Sequence, residues 1–141
     1  MKNLLSIFLF LAISASCYSQ KLADLFVNNS GENHSLATSL GYKYESTKFD
    51  EDFIVRSYVI DNTENKFIQL NLFYTNNETK VVLMLTSEAS AYDSIYNNCD
   101  ANSNGVIVDG YEVFEEPGFT YKFQSQRGNG ITIYSIMVTK K

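Results

Sequence analysis

Tryptophan is absent from this chain, proline and histidine occur once each, and there are only two cysteines. Each scarcity excludes something. Cys17 lies at the amino-terminal end, so Cys99 stands alone in the body of the chain and no internal disulfide can form there. Stability must therefore come from core packing. A single histidine, His34, without a cysteine pair supplies no zinc set. Lack of tryptophan removes the best residue for a sugar-stacking platform, although tyrosine can stack. Basic residues are also few: 11 Lys and Arg stand against 16 Asp and Glu, a formal net charge of −5. Binding nucleic acid needs a concentrated positive patch. The only basic cluster, Lys140-Lys141, reads as a solvated tail. The glycines of Gly128-Asn129-Gly130 sit between strand signals rather than opening a helix, so no phosphate-cradling loop is present.

Long apolar runs are missing except at the start. There Lys2 precedes Leu4 to Ile13, and the small residues Ser14-Ala15-Ser16 follow, which is the order of a secretory signal. The run is roughly a dozen residues, short of the ~20 needed to span a bilayer. We expect residues 1–19 to be a signal peptide, with no transmembrane segment after its removal, and a secreted or periplasmic protein. Cys17-Tyr18-Ser19 before Gln20 fits ordinary cleavage. Ser14-Ala15-Ser16-Cys17 partly fits a lipoprotein signal, in which Cys17 would carry a lipid anchor. The short signal ending in Ser-Gln resembles those of Bacteroidota-type bacteria. Residues 20–141 then form a single domain of about 120 residues, a length that buries about two-thirds of its unfolded surface.

Ten Phe and ten Tyr are available for that core. From Lys21 to Gly41 the spacing predicts helix, interrupted at Asn28-Asn29-Ser30-Gly31 and ended by Gly41 as a left-handed C-cap. Period-2 alternation follows, clearest in Ile68 to Tyr74, with further strands at Tyr42–Thr47, Phe53–Ile60 and Val81–Thr86. The continuous Val81-Val82-Leu83-Met84-Leu85 run predicts a strand covered on both faces. Asp61 to Asn65 and Asn76-Asn77-Glu78 supply turns. Ser87 as N-cap and Glu88 in the first turn predict a helix to about Asn98, with Tyr92, Ile95, Tyr96 and Cys99 as its apolar stripe. Strand signals return at Val106–Val108, Tyr111–Phe114, Phe119–Gln124 and Ile131–Val138, separated by Pro117-Gly118 and Arg127 to Gly130. The predicted fold is α+β: a two-layer sandwich in which two helical segments lie on one face of an antiparallel sheet of about six to seven strands. Helix followed by strands occurs twice, which raises a tandem α-βββ plan of the sort seen in small periplasmic inhibitor and assembly-factor domains. That likeness is one of architecture and carries no function.

One motif has a chemical mechanism. Asp100-Ala101-Asn102-Ser103-Asn104-Gly105 matches the opening of a calcium loop, where Asp100, Asn102 and Asn104 would converge on a hard cation. Position 12, which should be a bidentate Glu, is Tyr111, with Glu112 one place late. An Asn- and Gly-rich connection explains the same letters. A nucleophilic enzyme would have to pair Cys99 or a serine with His34, placed by the pattern in a polar loop. Glu115 and Glu116 are adjacent turn acids expected to point to water. The expected function is thus a non-enzymatic binding or envelope-associated module that presents its sheet face or loops to another envelope or extracellular protein. The alternatives are a calcium-dependent module and a small hydrolase using Cys99 or a carboxylate.

Overall fold

The computed structural model describes residues 22–26, 29–60 and 66–141. The expected signal, Cys17 and the Asp61–Asn65 turn lie outside the described residues. Residues 22–24 are helical, and two longer helices follow: α1 (Ser30–Ser39) and α2 (Ala89–Asn102). The strands are β1 (Lys43–Phe49), β2 (Ile54–Ile60), β3 (Ile68–Thr75), β4 (Glu78–Thr86), β5 (Val106–Val108), β6 (Tyr111–Glu116), β7 (Phe119–Gly128) and β8 (Ile131–Lys140). They form one eight-stranded sheet, ordered β1-β2-β3-β4-β8-β7-β6-β5, with every pairing antiparallel.

The sheet therefore has eight strands, not six or seven, and each helix precedes four of them rather than three. All eight segments carry strand signals in the sequence; the total of six to seven is low on the side after α2, where β5 is only three residues long and sits against β6 across a two-residue turn. Two four-stranded meanders meet along β4 and β8, so the last strand of each lies at the centre.

Local chemistry accounts for the element ends. Asn29 caps α1: its side chain accepts from the Gly31 and Glu32 amides at 3.0 Å each, and Glu32 Oε2 accepts from the Asn29 amide at 2.9 Å. This reciprocal pair satisfies orphan donors of the first turn. What read as an interruption in the sequence is thus a cap. At the other end Gly41 takes φ +88°, and the Tyr42 and Gly41 amides donate to Ala37 and Thr38 carbonyls. That is the 6→1 and 5→2 pattern of a Schellman stop, which needs the left-handed residue that glycine supplies. Helix α2 begins one residue later than expected, with Glu88 at the cap position and no side-chain capping bond. Ser87 Oγ is instead occupied by the Phe67 amide at 2.9 Å. The helix also runs on to Asn102, a turn beyond Asn98.

Both helices lie on the same face. His34 of α1 meets Tyr58 of β2, and Tyr96 of α2 packs edge-on to Phe114 and Phe123. The register places these partners on one side: Tyr58 lies opposite Leu70, Leu70 opposite Met84, Met84 opposite Ile136, and Ile136 opposite Phe123. All five are buried, with Ile95 and Cys99 of α2 and Ala37 of α1 closing the core. Each buried Leu, Ile, Met or Phe of this set stabilises the fold by about 1.5–3 kcal/mol when removed from water. Buried Asn33 ties α1 into place by donating to the Leu25 carbonyl at 2.8 Å and Thr79 Oγ1 at 2.9 Å.

Candidate functional site

Alternation along each strand sends every second side chain to the face without helices. On β4, Val82, Met84 and Thr86 are buried, whereas Val81, Leu83 and Leu85 are only half-buried. The expectation that this strand is covered on both faces is corrected. Its apolar run continues onto a face that no described element covers. Register extends the open band outward. Leu83 lies opposite Asn71 and Met137, and Val81 opposite Phe73. Phe53 meets Phe73 edge-on at 6.2 Å at one end. On the far side Met137 lies opposite Lys122, Lys122 opposite Val113, and Val113 opposite exposed Val106.

The centre of this face is aliphatic and its flanks are polar. Ser57 Oγ donates to Asn71 Oδ1 at 2.7 Å, so these two buried polar groups satisfy each other. Gln69 reaches Glu45 at 3.3 Å toward the β1 edge. Toward the carboxyl terminus, Glu115 receives Lys141 at 2.7 Å and Thr120 at 3.0 Å, and the Lys141 ammonium holds its carboxyl below the usual range. An apolar centre with a polar rim is the anatomy of a protein contact surface. The aromatic face that the sequence suggested for residues 53–60 divides between sides. Tyr58 belongs to the helix face, and Phe53 alone joins the open one.

The other candidate residues do not converge. Cys99 is 1% exposed, and burial, with Glu116 adding to it, pushes its thiol up to about 12. It is a core side chain on the sheet-facing stripe of α2, protonated at any ordinary pH. His34 sits on α1 rather than in a loop, with Nδ1 3.3 Å from Tyr58 Oη and its ring 5.9 Å from that of Tyr44. Glu115 and Glu116 point to opposite faces of β6. Glu115 is exposed, whereas Glu116 is half-buried with Oε1 lacking a partner, contrary to the expectation that both face water.

Asp100 and Asn102 fall within the last turn of α2, and Asn104 follows in the exposed loop. Tyr111 begins β6, and Glu112 accepts the Tyr96 hydroxyl with both carboxylate oxygens at 3.0 Å. Gly105 is closely packed: a Cβ there would lie 2.7 Å from Glu112 Oε1 and 2.8 Å from Phe114 Cζ, so a neighbour would have to shift. Among the described residues, no three His, Cys, Asp or Glu side chains gather as a metal site.

A cleft of about 680 Å³ lies where the β3–β4 turn meets the carboxyl terminus, lined by Phe26, Asn29, Glu78, Lys80 and Lys140 among others. Its polar groups mostly serve one another. Lys80 pairs with Glu78 at 2.7 Å, Asn77 accepts from Ser30 Oγ at 2.5 Å, and Asn29 caps α1. No described helix is long and apolar enough to cross a membrane. No family profile matches the sequence, and neither a curated protein nor a solved structure matches it.

Proposed function

We propose that the protein is an exported, non-enzymatic binding module that receives another envelope or extracellular protein on its open sheet face. The observation that carries this reading is the half-buried band of Val81, Leu83, Leu85 and Met137 at the centre of a sheet whose opposite face holds both helices. Monomeric proteins rarely leave a contiguous apolar patch uncovered without a use for it. A rigid sheet held by one core on its far side also presents that patch without an ordering cost on binding. Protonated Cys99 and the separation of Glu115 from Glu116 argue in the same direction, because neither supplies a nucleophile or a carboxylate pair.

A photo-crosslinking residue in place of Ser135, on the open face of β8, tests the reading in cells. One at Thr38, on the exposed side of α1, is the control. A defined protein adduct from position 135 alone is expected, and adding Leu83→Asp should abolish it. Equal adducts from both positions, or none from position 135, would discard the open face as the contact surface.

A further inference from the structure

The two edges of the sheet are finished differently. Strand β1 carries Lys43, Glu45 and Lys48, with a register shift between Tyr44 and Ser46. Charges and bulges of this kind keep an edge from pairing with another chain. Strand β5 has neither. Its three residues are Val106, Ile107 and Val108, exposed by 61%, 70% and 47%.

We propose that β5 is a self-pairing edge through which two copies of this chain join antiparallel, with Ile107 opposite Ile107 on the two-fold axis. Three observations select a second copy as the occupant. The Val-Ile-Val sequence is palindromic. Antiparallel pairing about its centre sets Val106 opposite the second copy's Val108, so every cross-strand pair is β-branched on β-branched, a favourable match. Charge agrees with the register. Asp109 falls opposite Gly105 of the second copy and meets no like charge.

Hydrogen-bond phase agrees as well. Asp109 and Gly110, with φ +51° and +81°, form the two-residue turn between β5 and β6. Such a turn closes on a hydrogen-bonded pair, here Val108 and Tyr111, and such pairs alternate along the ladder. The N–H and C=O of Ile107 therefore point away from β6. On the axis, the two Ile107 residues exchange both hydrogen bonds. Val106 and Val108 lie on the open face, so the joined sheet sets the open faces of the two copies side by side. The contact is small beside the ~1,200–2,000 Å² of stable interfaces, and association is weak and concentration-dependent.

Sedimentation of the isolated mature protein tests this without any other partner. Wild type should pass from monomer to dimer as concentration rises to about 1 mM, whereas Ile107→Lys, which sets like charges face to face on the axis, stays monomeric. Its circular dichroism and melting temperature should match wild type, because the side chain it replaces is already in water. In addition, Ile107→Cys under mild oxidation should give a reducible dimer. Wild type remaining monomeric to that concentration overturns the proposal. A dimer that persists in Ile107→Lys, or an Ile107→Cys chain that forms no linked dimer, does so too. A monomeric wild type that still gives the position-135 adduct would remove this inference and leave the proposed function standing.

Discussion

Leu83 and Met84 are neighbours on β4 that face opposite sides of the sheet, so they compare the two environments directly. Met84 is 1% exposed in the core beneath the helices. Its replacement by alanine loses buried apolar area and leaves a cavity, at a cost of about 2–5 kcal/mol. For a domain of this length that lowers the melting temperature by roughly 10 °C or more. Leu83→Thr keeps a branched strand former and places a hydroxyl on the open face. Only part of a leucine's ~1.5–3 kcal/mol of burial is lost, about 1 kcal/mol, and water still reaches the hydroxyl. Beneath a covered face the same hydroxyl would be stranded, adding about 1–3 kcal/mol and matching the Met84 variant. Urea unfolding followed by circular dichroism reads both values, with an unchanged slope confirming comparable states. If Leu83→Thr costs as much as Met84→Ala, the open face does not exist.

At high pH the fold should come apart as phenols and the thiol ionise. Burial pushes Tyr74, Tyr121 and Cys99 up to about 12, above their ordinary values of 10 and 9. Their contribution is therefore complete below pH ~9 and is lost as pH rises toward 12, because only the unfolded chain ionises in that window. Stability unchanged between pH 9 and 11.5 would contradict their burial. Gly105→Ala should destabilise by about 1–3 kcal/mol through the contact with fully buried Phe114, measured by thermal melting; a neutral result would show that the loop can move aside. Millimolar calcium should leave the melting temperature unchanged, since Asp100 and Asn102 lie in the last turn of α2 rather than in a loop. A rise of several degrees would restore Asp100, Asn102 and Asn104 as ligands.

Much of the fold was legible because its signals are local. The Tyr92, Ile95, Tyr96 and Cys99 stripe, the Gly41 stop and the Phe119–Phe123 alternation each follow from side-chain period or backbone freedom within a few residues. What escaped reading depended on distant partners. Ser87 looks like an N-cap until β3 arrives and its hydroxyl takes the Phe67 amide. His34 is the exception, missed although its signal is local: the Asn29 to Glu32 capping box starts the helix that carries it.

The open face was misread for a sharper reason. Val81 to Leu85 is apolar on both sides, and sequence alone cannot distinguish a strand covered twice from one whose second face waits for a partner. Ile107 and its neighbours gave the same ambiguity in three letters. Their exposure becomes informative only once β5 is known to end the sheet.

The chain carries its own probes of that central point. Met84 and Met137 lie on adjacent strands and opposite faces, and the third methionine, Met1, falls within the expected signal. Peroxide oxidation of the protein, followed by peptide mass spectrometry, should convert Met137 well before Met84 when the protein is alone, and should spare Met137 when it is treated in a crude extract that holds the proposed partner. Equal slow oxidation of both in isolation would mean the face is closed, and no protection of Met137 in the extract would mean nothing docks there.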